Sequence, residues 1–93
     1  MGGLVVRDNR DASRFEVATD SWVAILEYER TRDAFVIQHT EVPQAARGSG
    51  VGALLAQTAL ETARAEGRRV VVRCPFVREY LRKHPEWRVK TAR

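Results

Sequence analysis

Three glycines at alternate positions mark the segment of this sequence with the clearest capacity for chemistry. They lie in Arg47-Gly48-Ser49-Gly50-Val51-Gly52, between a strand-like segment and an amphipathic helical segment. Glycines let the backbone approach a ligand closely, and the first turn of a helix offers N–H groups that have no partner within the helix. These groups and the positive end of the helix dipole favour a phosphate or pyrophosphate. The segment therefore predicts an anion-binding turn.

The elements that must position this turn follow from the hydrophobic periodicity. Alternating apolar and polar residues predict strands over 15–19, 22–30 and 34–42, which follow one another closely enough to form an antiparallel meander. A short edge piece is predicted over 4–7. Pro43 ends the third strand because it has no N–H to donate.

After the turn, the pattern changes to the period of a helix. This helix ends at Gly67 and leads into an apolar strand, 70–74, expected to be buried on both faces and parallel to 34–42. Pro75 begins a second helix that ends before His84, and Trp87 anchors the end of the chain. Apolar stripes are predicted at Val51, Leu54, Leu55, Thr58, Ala59, Thr62 and Ala63 on the first helix and at Phe76, Val77, Tyr80 and Leu81 on the second.

The order β-β-β-α-β-α predicts an α+β (mixed α/β) fold with one mixed sheet and two helices. With 93 residues, the chain forms one domain, 1–93, with a core of about 14–87 and a basic tail, 88–93. No apolar run is long enough for a bilayer or a secretory signal, so a soluble cytoplasmic protein is expected. A single cysteine excludes an intramolecular disulfide, and with only two histidines we expect no structural zinc site.

The net charge of +4 raises the question of a nucleic-acid partner. The arginines are scattered among carboxylates, and no aromatic residues are interleaved with them as stacking platforms. A solvated surface with a basic tail is the preferred interpretation, and nucleic-acid binding remains a distant alternative.

Other occupants of the glycine turn fit less well. A dinucleotide-binding turn needs G-x-G-x-x-G after the first strand, whereas here G-x-G-x-G follows three antiparallel strands. A Walker loop needs Gly-Lys-Ser/Thr, which is absent from the turn. A merely tight turn accounts for one glycine more easily than for three.

The hexapeptide resembles the Q/R-x-x-G-x-G/A signature of the GNAT superfamily of acyl-CoA-dependent N-acetyltransferases. Further blocks resemble its small, single-domain YjdJ-type subfamily, and together they span 15–87. These blocks are Ile37-Gln38-His39-Thr40-Glu41-Val42-Pro43, Ala53-Leu54-Leu55, Val72-Arg73-Cys74-Pro75-Phe76-Val77 and Tyr80-Leu81-Arg82-Lys83-His84-Pro85-Glu86-Trp87.

This resemblance implies a GNAT-like core in which two parallel strands splay apart and acetyl-CoA or coenzyme A lies in the opening. Backbone groups of Thr40, Glu41 and Val42 would pair with the pantetheine arm. The pyrophosphate would lie on Arg47, Gly48, Ser49, Gly50, Val51 and Gly52.

The resemblance also implies candidate catalytic groups. The Val42 N–H would polarise the thioester carbonyl, and Glu41 or His39 would deprotonate the amine. Regular strand alternation would point both side chains the same way as Phe35 and Ile37. Each also has a simpler interpretation: Glu41 as a solvated charge at a strand end, His39 as a hydrogen-bonded, partly buried residue.

Cys74 and Tyr80 complete the candidate set. Cys74, just before a helix, would line the acyl pocket as a proton donor or an acyl-cysteine nucleophile. Its simpler interpretation is a small buried apolar residue. Tyr80 would be the acid by analogy, although it stands one position earlier than the usual tyrosine, and a core position is its alternative.

The chain ends soon after the second helix, so the final hairpin that shapes the acceptor site in larger GNAT enzymes is missing or reduced to 88–89. We therefore expect a minimal N-acetyltransferase that acts on an amine by direct attack. The amine would be a small molecule or a protein lysine, and a partner protein or a second copy would complete the site. The alternative is a non-catalytic module that binds coenzyme A.

Overall fold

A computed structural model describes residues 3–89 and forms one five-stranded mixed sheet with two helices. The spatial order of the strands is their order in the chain, with antiparallel pairs up to the last pair, which is parallel. This confirms the predicted fold class. The elements are β1 (Arg7–Asn9), β2 (Arg14–Ala18), β3 (Val23–Arg30), β4 (Ala34–Glu41), α1 (Val51–Ala65), β5 (Arg69–Val72) and α2 (Pro75–Lys83), with 3₁₀ segments at Gln44–Ala46 and Pro85–Val89.

The edge piece predicted over 4–7 occurs slightly later, as β1. Of the predicted tail, 90–93 lies outside the described residues. Within the described range, no helix is both long enough and apolar enough to cross a membrane.

The core lies between one face of the sheet and the helices. Phe15, Tyr28 and Phe35 form an aromatic cluster, with ring centroids 5.0 Å apart for Phe15–Tyr28 and 4.8 Å apart for Tyr28–Phe35. Val77 of α2 and the anchor residue Trp87 are buried in the same core. One continuous apolar cluster therefore fixes both helices against the sheet.

The buried stripe of α1 is rotated from the predicted one. Leu54, Thr58 and Thr62 are only half-buried. Thr58 turns its hydroxyl back to the Leu54 carbonyl oxygen, 2.8 Å away, and so satisfies that group within the helix. Ala56 and Leu60, which were not on the predicted stripe, are buried instead. The buried residues of α1 are Val51, Gly52, Leu55, Ala56, Ala59, Leu60 and Ala63.

A β-bulge changes the direction of the side chains at the end of β4. Ile37 is paired with Tyr28, but His39 is paired with Glu27, so Gln38 is the extra residue. An extra residue reverses the alternation beyond it. The expectation that His39 and Glu41 point the same way as Ile37 is therefore wrong.

β4 and β5 separate after a short parallel pairing. Ala34 to Ile37 pair with Arg69 to Val72, and the Arg73 N–H donates to the Ile37 carbonyl oxygen at 2.8 Å. In the described chain, residues 38–41 of β4 have no partner on the β5 side. Both the bulge and this opening lie at the same end of β4.

β5 is an edge strand of the described sheet, which corrects the expectation that it is buried on both faces. Its valines, Val70, Val71 and Val72, are only half-buried. The continuous apolar run indicated a central parallel strand. The reason for the difference is that no described element covers the outer side of β5.

Glu66, just after α1, ties the far end of the helix to the sheet. Its carboxylate accepts from Arg30 at 2.9 and 3.0 Å and from Arg68 Nε at 2.8 Å. Hydrogen bonds from Arg30, with a further one from Arg68, lower the pKa of Glu66 from 4.5 to about 2. The folded state therefore favours the ionised carboxylate.

This lowered pKa predicts an acid-dependent loss of stability. The stabilisation from Glu66 is fully present above pH 4.5, its ordinary pKa, and is lost as the pH falls toward 2. Because the group is partly solvated, we expect about 1 kcal/mol from it across that window. Urea unfolding of Glu66→Gln at pH 6 and pH 3 should show a smaller pH dependence than the parent. Equal pH dependence in both proteins would contradict the assignment.

Candidate functional site

Two glycines set the path of the chain into α1. Gly48 and Gly50 have φ values of +85° and +86°, in the left-handed region that favours glycine. Gly50 is the N-cap of α1. A Cβ at either position would meet no atom within 4 Å. Glycine is therefore used here for its backbone conformation rather than for space.

Ser49, between these glycines, holds the turn together. Its hydroxyl donates to the Ala46 carbonyl oxygen at 2.5 Å and accepts from the Val51 N–H at 3.2 Å. In the described chain, no protein acceptor is hydrogen-bonded to the N–H groups of Gly50 or Gly52. The turn thus presents unpaired N–H groups at the positive end of a 15-residue helix.

An open cleft of about 650 Å³ runs from this helix start to the end of β4. Most of its side chains are apolar, with the hydroxyl of Thr40 and the guanidinium of Arg47 among the exceptions. Seven of the nine predicted cofactor residues line it, whereas Glu41 and Ser49 do not. The lining residues are Thr40, Val42, Ala46, Arg47, Gly48, Gly50, Val51, Gly52, Ala53 and Phe76.

Phe76 is the largest of the cleft residues that were not predicted as part of the site, which also include Ala46 and Ala53. The sequence placed Phe76 on the apolar stripe of the second helix, but it is 43% exposed and faces the cleft. One feature of the sequence could have indicated this role. Phe76 comes immediately after Pro75, in the first turn of α2, and this helix starts beside the splayed strands. Phe76 thus adds an aromatic wall to the predicted backbone site.

His39 and Glu41 lie outside the lining of this cleft, on the other side of β4. His39 Nε2 and Glu41 Oε2 are 3.1 Å apart, and their side chains are 52% and 65% exposed. Glu41 lines a neighbouring hollow that also contains Val23, and this hollow shares Thr40, Val42 and Arg47 with the cleft. The carboxylate and the imidazole therefore form a solvated pair beside the strand end.

Cys74 does not line the cleft, contrary to the expectation that its thiol faces an acyl pocket. It is 2% exposed, and its Sγ donates to Thr40 Oγ1 at 3.4 Å. Thr40 itself lines the cleft. The thiol therefore packs in the core behind Thr40, which agrees with the simpler interpretation of Cys74 as a small buried residue.

Tyr80 is also absent from the cleft lining. Its ring stacks on His84, with centroids 4.2 Å apart, and its hydroxyl is hydrogen-bonded to the Trp87 side chain. Burial raises the pKa of Tyr80 above its ordinary value of 10.0. The phenol is therefore protonated at neutral pH.

Comparison with known proteins gives one family model and several relatives of moderate identity. The profile of the family described as GCN5-related N-acetyl-transferase matches residues 14–90. Protein NATD1 of Mus musculus is 32% identical over 87 residues, which cover 90% of this chain and 79% of the mouse protein. Protein NATD1 of Homo sapiens is 36% identical over 63 residues, which cover 67% of this chain and 56% of the human protein.

A solved structure has the same fold. The solution structure of a GCN5-like protein from Staphylococcus aureus matches with a TM-score of 0.66 at 21% identity, covering 99% of this chain and 91% of that protein. At this identity the likeness supports the architecture rather than any particular substrate.

Proposed function

Because the chain belongs to the GCN5-related N-acetyl-transferase family, we propose that it binds acetyl-CoA in the cleft and transfers the acetyl group to an amine. One observation carries the proposal: a glycine turn with unpaired N–H groups lies at one end of the cleft, and the unpaired edge of β4 lies at the other. A diphosphate suits the first end. An extended amide-containing arm suits the second.

In this proposal, coenzyme A is held mainly by backbone groups. The diphosphate lies on 47–52, and the Arg47 guanidinium adds positive charge beside it. The pantetheine arm pairs with Thr40, Glu41 and Val42 along the open edge of β4. This arrangement places the thioester near the N–H of Val42, which polarises its carbonyl.

The transfer itself is proposed as direct attack by the amine. The amine nitrogen bonds to the thioester carbonyl carbon, the C–S bond breaks, and coenzyme A leaves as a thiolate that takes up a proton. Glu41, with His39 beside it, is the proposed acceptor of the amine proton from the neighbouring hollow. Tyr80 stays a candidate proton donor through its protonated phenol. The burial of Cys74 favours direct attack over an acyl-cysteine intermediate.

A non-catalytic coenzyme A-binding module is the second candidate function. The observation that favours it is the position of Cys74 and Tyr80, neither of which lines the cleft. In the described chain, moreover, no further strand lies next to β5 in the sheet to form a wall for an acceptor site. A partner protein or a second copy would supply that wall if the protein is catalytic.

Two finer assignments belong to the same proposal. The quoted blocks favour the small YjdJ-type subfamily, and a cytoplasmic location is proposed with it. Nucleic-acid binding through the basic tail remains the distant alternative.

Calorimetry and a transfer assay test the proposal together. We expect saturable binding of acetyl-CoA and coenzyme A, and release of free thiol when a panel of amines is added. Binding without thiol release from any amine would favour the non-catalytic module. After incubation with acetyl-CoA, the intact mass of the parent should show no acetyl adduct on Cys74. An adduct that is present in the parent and absent from Cys74→Ala would support the acyl-cysteine route instead. The absence of binding to either ligand would overturn both candidate functions.

A further inference from the structure

The third glycine of the turn is required for a different reason from the other two. Gly52 is buried in the first turn of α1, and its φ is not in the left-handed region, so its backbone accepts any residue. A Cβ at this position, however, would lie 2.6 Å from Cζ and 3.1 Å from Cε2 of Phe76. Glycine at position 52 therefore makes room for the Phe76 ring.

The backbone of Phe76 is held by buried neighbours, and its ring lies against Gly52. Phe76 is the second residue of α2, and Cys74 and Val77 on either side of it are 2% and 0% exposed. Its backbone is therefore anchored in the core. The ring rests on Gly52, and its remaining surface, 43% of the residue, faces solvent and the cleft.

Phe76 lines the same cleft as the two groups of residues that would hold the ends of an elongated ligand. The unpaired N–H groups of the turn mark one end of the cleft, and Thr40 and Val42 mark the other. The methylene and methyl groups of a pantetheine arm that runs between these ends would cover the free face of the ring. A ligand that carries only the diphosphate would bind at the turn and leave the ring exposed.

We infer that Phe76, whose ring lies against Gly52, is a specificity-determining residue that favours ligands with a pantetheine-like arm over ligands with a diphosphate alone. The inference rests on the proposed function, because it assumes that coenzyme A occupies the cleft. It predicts that Gly52 and Phe76 act as one unit. A methyl group at position 52 would push the ring off its seat and into the space of the arm.

A double-mutant cycle tests this unit. Calorimetry with coenzyme A should show about a tenfold loss of affinity for Gly52→Ala and about a fivefold loss for Phe76→Leu. The double variant should bind about as well as Phe76→Leu alone, because the shorter side chain leaves room for the methyl group. ADP, which has the diphosphate without the arm, should bind Phe76→Leu within about twofold of the parent.

Matched controls separate this effect from damage to the fold. Gly67→Ala adds a methyl group far from the cleft, at a position with φ of +68°, and should lower the melting temperature without changing affinity for coenzyme A. The ring-current shift of the Gly52 α-protons should disappear in Phe76→Leu, whether or not ligand is present.

The outcomes distinguish this inference from the proposed function. If the parent protein fails to bind coenzyme A, the proposed function is overturned, and this inference falls with it. If the parent binds but the two losses simply add in the double variant, or if ADP binding falls as much as coenzyme A binding, this inference alone is overturned.

Discussion

Gly50→Asp should weaken the binding of coenzyme A by about 30-fold, or about 2 kcal/mol, at low salt. The N-cap position has φ of +86°, a conformation that aspartate and asparagine tolerate better than other residues with side chains. Its Cβ would meet no protein atom within 4 Å, so the carboxylate would project into open space beside the helix start. Its charge would therefore oppose the diphosphate directly.

Gly50→Asn is the matched control, because it has the same shape and nearly the same backbone preference without the charge. Calorimetry at 50 mM and 300 mM salt should show a gap between the two variants that narrows as salt screens the repulsion. If the aspartate variant binds as well as the asparagine variant, the diphosphate does not lie on this turn.

Arg30→Leu should lower the free energy of unfolding by about 3 kcal/mol, which corresponds to a fall in melting temperature of about 12–24 °C. The side chain of Arg30 is only 17% exposed. Its guanidinium binds Glu66 through two nitrogens, donates to the Tyr28 hydroxyl at 2.9 Å and lies 4.8 Å from the centroid of the Tyr28 ring. Its removal would leave the Glu66 and Asp8 carboxylates with fewer compensating charges in a half-buried place.

Arg30→Lys is the control for this substitution. It keeps the positive charge but loses the paired hydrogen bonds, so its loss of stability should be about half as large. Thermal unfolding followed by circular dichroism gives both values. A change of less than 3 °C in Arg30→Leu would show that the ion pairs with Arg30 are too solvated to contribute.

The sequence predicted the turn and the order of most elements because these depend on local chemistry. Glycines at 48 and 50 adopt the left-handed backbone that their type permits, and Pro75 begins α2 as its missing N–H allows. The separation of the two parallel strands came from the resemblance rather than from the pattern. Residue type alone was thus sufficient to predict the local backbone where glycine or proline favours one conformation.

The errors arose where tertiary contacts decide. A bulge at Gln38 leaves no mark in an alternating pattern, yet it reverses the direction of His39 and Glu41. The burial of Cys74 agrees with its simpler interpretation, but nothing in the sequence indicates the contact of its thiol with Thr40, 34 positions earlier. In the sequence, Phe76 has the pattern of a helix core residue. Only the structure shows that its ring occupies the space that a Cβ at Gly52 would need.

The most direct test of the account is an NMR titration of the parent protein with coenzyme A, observed at the backbone amides. We predict saturable shifts that are largest at Gly50, Gly52 and Ala53 and that continue along 38–42. A second hollow, lined by Arg32, Arg64, Arg68 and Arg69 together with Asp33, Glu66 and Gly67, lies at the other end of α1 and offers an internal comparison. Shifts concentrated there, or no saturable shifts at all, would contradict the proposed acyl-CoA site.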